Sequence, residues 1–100
     1  MDIDLQLRLL TKEKIKRAIE FGLLQYQFWL VRGRPFFHIE FTDSKKDAEI
    51  LCKRIKAHGF LAIDTKVEKR WGVYASPKGE KVIDWYEYHK EHGNIPKGRK

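Results

Sequence analysis

The sequence has little that could serve as a covalent staple, a membrane anchor or a phosphate cradle. Its single cysteine, Cys52, has no partner for an intramolecular disulfide. Cys52 falls inside a helical pattern, which predicts a small apolar core side chain rather than a catalytic thiol. No apolar run approaches the roughly 20 residues needed to span a bilayer. The opening Met1-Asp2-Ile3-Asp4 is acidic, unlike the start of a secretory leader. These features predict a cytoplasmic, intracellular setting with no membrane partner. Gly33, Gly59 and Gly72 stand alone, reading as turn, helix-end and strand glycines rather than a phosphate-binding loop. Tandem repeats, low-complexity stretches and an internal linker are all missing.

What is present is apolar and basic. Of 100 residues, 42% are hydrophobic and 13% aromatic, enough to build one core and unlike a disordered chain. The expected organisation is a single α+β domain over residues 1–93, followed by a basic, flexible tail over 94–100. Lysine and arginine number 21 against 14 acidic residues, a net charge of +7. That balance favours a polyanionic partner through phosphate neutralisation and counterion release. It equally suits a charged surface kept for solubility or heat stability.

The periodicity alternates between helical and extended. Thr11 is a candidate N-cap, and Ile15, Ala18, Ile19, Gly22 and Leu23 follow one helical face to about Leu24. Gln25 to Val31 is aromatic and β-prone. Arg32-Gly33-Arg34-Pro35 then turns the chain into Phe36 to Phe41, giving a hairpin. On that returning strand Phe37, Ile39 and Phe41 are expected on one face, with Phe36, His38 and Glu40 on the other. Asp43 or Ser44 caps a second helix with stripe Ala48, Leu51, Cys52 and Ile55, and Gly59 ends it. Ala62 to Val67 and Trp71 to Ser76 form a second hairpin about Glu68-Lys69-Arg70. Pro77 opens a third helix from about Lys78 to Glu91. The order αββαββα predicts a four-stranded antiparallel sheet with helices over one face, leaving the other to solvent or a partner.

Catalytic constellations are hard to find. His89 and His92 stand at i, i+3, a spacing that can bind metal but also suits the dipole at a helix C-terminus, and His38 and His58 offer no obvious companions. Neither a metal nor a cofactor is expected. Glu40 and Asp64 sit on two strands and could hold a nuclease metal. They read more readily as surface charges balancing nearby lysines.

The cations are more informative. Arg32 and Arg34 mark the first hairpin turn, Lys69 and Arg70 the second, and Lys66 the strand between. With Gln27, His38 and Tyr74, and with Trp29 and Phe36 beside them, they compose a candidate nucleic-acid surface of rings and charges. Trp29 and Phe36 fit packing beneath the tail, or a dimer interface, as well.

The segment Phe21-Gly22-Leu23-Leu24-Gln25-Tyr26-Gln27-Phe28 resembles the signature helix of LAGLIDADG homing endonucleases, and the order αββαββα over about Thr11 to Glu91 is that family's half-domain. The resemblance implies a homodimer through paired helices, with Ala18 and Gly22 permitting close approach. It also implies DNA binding through the sheet. Gln25 and Gln27 stand where the family has its two aspartates, and glutamine is a poor Mg²⁺ ligand, so a binder that does not cut is implied. A second stretch, Phe28 to Ser76, is similar to the central part of wybutosine-synthesising tRNA-modification proteins, without their serine- and cysteine-containing N-terminal motif. The expected function is thus duplex DNA binding without cleavage. The alternatives are an RNA-binding or tRNA-modification domain, or a small viral or plasmid-encoded protein-interaction module.

Overall fold

Two capped helices and two tight hairpins organise the chain. In the computed structural model, which describes residues 3–78, α1 spans Ile3–Leu9, α2 Lys12–Leu24 and α3 Lys45–Ala57. The strands are β1 Trp29–Val31, β2 Arg34–Thr42, β3 Phe60–Val67 and β4 Arg70–Pro77. Thr11 caps α2, its side chain accepting from the Lys14 N–H at 3.1 Å. Ser44, rather than Asp43, caps α3 by accepting from Asp47 N–H at 3.2 Å. Each cap satisfies an N–H that has no partner within the helix. Behind α3, Gly59 takes φ +96, a left-handed conformation that glycine adopts without a Cβ clash.

The sheet runs β1-β2-β4-β3 and is antiparallel throughout. The α+β class and the four-stranded antiparallel sheet are as the sequence predicts, and the order helix–hairpin–helix–hairpin holds from Lys12 to Pro77. Pro77, expected to open a third helix, instead ends β4 opposite Phe60; the expected helix beyond Lys78, to Glu91, and the tail lie outside the described residues. The first hairpin closes on Arg32-Gly33, both at positive φ (52 and 80), the sign pattern whose twist matches paired strands. The aromatic stretch is mostly connection: only Trp29–Val31 pairs, and Tyr26 turns the chain at φ 53.

One helix was not legible in advance. Ile3 to Leu9 alternates apolar and polar residues, the pattern of a strand, yet it is helical. The apolar residues therefore divide between two sides. Ile3 and Leu7 pack on the core, while Leu5 and Leu9 are exposed. Gln6 is buried and donates to the Phe41 carbonyl at 2.9 Å. The helix thus supplies a partner to β2 beyond the reach of short β1, where a free edge carbonyl would otherwise be left without one.

The helices bury one face of the sheet. Ile15 and Ile19 of α2 and Ala48, Leu51, Cys52 and Ile55 of α3 meet Phe37, Ile39, Ala62, Val73 and Ala75. Cys52 belongs to this core, where burial and the nearby Asp64 carboxylate push its thiol up to about 11. It is protonated and unreactive at neutral pH.

A bulge in β2 overturns the expected facing. The register shifts between His38 and Glu40, so Ile39 is an extra residue. Phe37 pairs with Ala75 and Ile39 stays in the core. Beyond the bulge, Glu40 pairs with Val73 on the helix side and Phe41 pairs with Gly72 on the other. Glu40 accordingly accepts from Lys14 Nζ of α2 at 3.0 Å, while Phe41 joins His38.

Candidate nucleic-acid interface

The face away from the helices carries a continuous series of rings. Paired residues of antiparallel strands share a face. The pairings Trp29↔Phe36, His38↔Tyr74, Phe41↔Gly72, Ile63↔Tyr74 and Val67↔Arg70 therefore define this second face. The Trp29 and Tyr74 rings lie 5.4 Å apart, Tyr74 and His38 5.5 Å, and His38 and Phe41 4.2 Å. Arg70 ends the series, its guanidinium 4.1 Å from the Phe41 ring centroid, a cation–π contact. Gly72 makes this possible: Tyr74 lies across it, and a Cβ there would come within 2.9 Å of the Tyr74 ring.

His38 stands in the middle, solvent-accessible but flanked by Phe41 and Tyr74. Its pKa is lowered, mainly by desolvation among the rings. The Glu40 carboxylate pulls the other way, and the Arg70 cation adds to the lowering. Desolvation likewise raises the Tyr74 hydroxyl. At neutral pH both groups are uncharged, and the rings present π-faces and hydrogen-bonding edges beside a fixed cation.

The predicted cations do not all converge. Arg32 is exposed in the first turn, and Arg34 donates to the Pro77 carbonyl at 2.9 Å. Lys69 and Arg70 lie at the other end of β4 from Pro77. The two hairpin tips are thus about 20 Å apart or more, since β4 has eight residues at roughly 3.3 Å each. Lys66 pairs with Trp71, which packs against the core from the helix side, so Lys66 belongs to the opposite face from His38 and Tyr74. Gln27 is exposed in the α2–β1 connection, its backbone N–H bonded to the Gly22 carbonyl at 2.8 Å.

Ala18 and Gly22 turn inward. A Cβ at Gly22 would lie 2.5 Å from the Phe37 ring and 2.9 Å from the Gln27 carbonyl, and Ala18 packs against the core. Packing within one chain therefore accounts for the glycine at position 22. Phe41, which regular alternation assigns to the helix side, joins the expected Arg70 on the second face because of the bulge at Ile39.

Glu40 and Asp64 share the helix side, but both pair with Val73, which stands between them. Glu40 is engaged by Lys14, and no group of three or more metal-ligating residues occurs among the described residues. His58 sits elsewhere, its Nε2 3.1 Å from the Leu10 carbonyl oxygen, and His89 and His92 lie outside the described residues. No described helix is long and apolar enough to cross a membrane.

Among the described residues the architecture is that of an α+β protein with one helix-covered sheet face and one aromatic face. The chain matches no protein-family model, no curated protein and no solved structure in the comparisons made with known proteins.

Proposed function

We propose that this protein binds nucleic acid without cutting it, holding unpaired bases of RNA or DNA against the second face of its sheet. The observation that carries the reading is the unbroken series Trp29–Tyr74–His38–Phe41–Arg70. Bases stack on aromatic side chains whatever their sequence, worth about 1–3 kcal/mol each, and sheet-borne rings are a recurrent platform for single strands. The net charge of +7 supplies long-range attraction to phosphates. Absence of cleavage is supported by Gln25 and Gln27 after α2, and by Val73 standing between Glu40 and Asp64.

A second reading, duplex DNA binding in the manner of a non-cleaving homing-endonuclease half-domain, is favoured by one observation. Arg32 and Arg34 at one end of the sheet and Lys69 and Arg70 at the other would let a long polyanion be gripped at both ends. Competition between a single-stranded oligonucleotide and a duplex of the same sequence, measured by anisotropy across a salt series, separates the two. The first reading expects the single strand to win, with affinity falling as salt rises. A duplex preference favours the second, and binding to neither at low salt rejects both.

A further inference from the structure

Beside the ring series lies a cavity of about 300 Å³. It lies at the Trp29 end of the three-residue β1, beside Phe36 and His38 of β2. Trp29, Phe36, His38 and Tyr74 line it from the sheet, Ala18 and Phe21 from α2, and Gln27 from the connection between them. Phe21, 60% exposed, stands at its α2 side. The volume is at the lower end of the roughly 300–1,000 Å³ of small-molecule sites, which fits one planar heterocycle with its sugar and little more.

The lining is specific in two respects. Most of it is aromatic, which suits a flat π-system. Beside the rings and the His38 imidazole stands a carboxamide whose backbone is held in place: the Gln27 N–H is bonded to the Gly22 carbonyl, while its side chain makes no hydrogen bond to any described residue. A carboxamide offers a donor and an acceptor side by side. The hydrogen-bonding edges of nucleobases carry complementary neighbouring donors and acceptors, and glutamine pairs with adenine this way. A purely apolar ligand would gain nothing from Gln27.

We infer that this cavity receives one unstacked nucleobase, with Gln27 contacting its polar edge, while the neighbouring bases lie along Tyr74, His38 and Phe41. This rests on the function proposed above and adds to it a distinct base pocket at one end of the platform. Inserting one base while its neighbours stack outside gives a strand a fixed starting point on an otherwise sequence-tolerant surface.

The test uses adenosine 5′-monophosphate and a single-stranded oligoadenylate, each titrated into the full chain and followed by NMR at the Gln27 side-chain amide and the Trp29 indole. Ala18→Leu fills the cavity with three further carbons, and Gln27→Ala, in an exposed connection, removes the polar contact without touching the core. Saturable shifts at both groups with the mononucleotide are expected, with at least fivefold weaker binding in Gln27→Ala and in Ala18→Leu if its melting temperature is retained. The oligonucleotide should still bind both variants through the remaining rings. Oligonucleotide binding with no pocket shifts from the mononucleotide, or with shifts indifferent to Gln27→Ala, overturns the pocket and leaves the platform standing. Failure of both probes to bind the unaltered chain overturns pocket and platform together.

Discussion

On the helix side of the sheet, Phe37, Val73 and Ala75 meet Ile15, Leu51 and Ile55, and each of the six is no more than 1% exposed. On the other side Trp29, Phe41 and Tyr74 stay partly accessible and, among the described residues, meet one another, His38 and Arg70 rather than a helical layer of aliphatic side chains. The same strands supply both sets, often from neighbouring positions: Phe36 and Phe37, Val73 and Tyr74. The helix side gains its stability from removing aliphatic surface from water at close packing. Rings on the other side contribute less to folding, because part of their surface remains wet. Aromatic residues kept partly wet in a contiguous set mark a surface available to a partner.

Substitutions can test how far the two sides are separable. The largest effect is expected at Phe37. Phe37→Ala should cost about 3–5 kcal/mol in chemical unfolding, since the ring fills the space between the sheet, α2 and Gly22. A loss no larger than that of a second-face ring would remove the distinction. Gly22→Val should cost about 1–3 kcal/mol by overpacking, because a Cβ there meets both the Phe37 ring and the Gln27 carbonyl. An unchanged midpoint would mean that α2 is free to shift outward and Gly22 is available to a second copy. Thr11→Ala and Ser44→Ala each remove a helix cap and should cost about 1 kcal/mol without altering oligonucleotide affinity.

The smallest effect is a pH dependence centred on the second face. His38 titrates below the ordinary value of 6.5 because its neighbours desolvate it, with Glu40 opposing and Arg70 adding to the lowering. The unfolded chain therefore binds the proton more tightly than the folded one. Stability is complete above the ordinary histidine value and declines as pH falls through 6.5 toward the lower folded value. The melting temperature of the native chain should thus drop more between about pH 7.5 and 5 than that of His38→Gln. Parallel curves would show that the ring series does not desolvate His38.

Much of the framework was legible because its signals are local. Thr11, Ser44 and Gly59 mark helix ends through their own hydrogen bonds and backbone angles, and the stripe Ala48–Leu51–Cys52–Ile55 is set by helical period alone. What escaped depended on distant partners. The alternating Ile3–Leu9 segment is helical because Ile3, Leu7 and Gln6 find the core and the Phe41 carbonyl thirty-five residues away. The bulge at Ile39 leaves no trace in a regular alternation, yet it moves Glu40 to Lys14 and Phe41 to His38. Consequently Phe41 stands with His38, Tyr74 and Arg70 on the second face, where regular alternation puts it on the helix side, and Lys66, expected among them, faces the other way. The two basic turns looked alike in sequence, and only the pairing of β2 with β4 sets them at opposite ends of the sheet.

The most direct test of the separation between a folding face and a binding face is the affinity of Tyr74→Leu for a single-stranded oligonucleotide, measured beside its melting curve. Tyr74 touches both Trp29 and His38, so its loss breaks the ring series at its centre. The expected result is an affinity at least about fivefold weaker, in keeping with about 1–3 kcal/mol for a lost stacking ring, with a melting temperature close to that of the native chain. Unchanged affinity, or a loss of affinity seen only together with a collapse in stability, would contradict it.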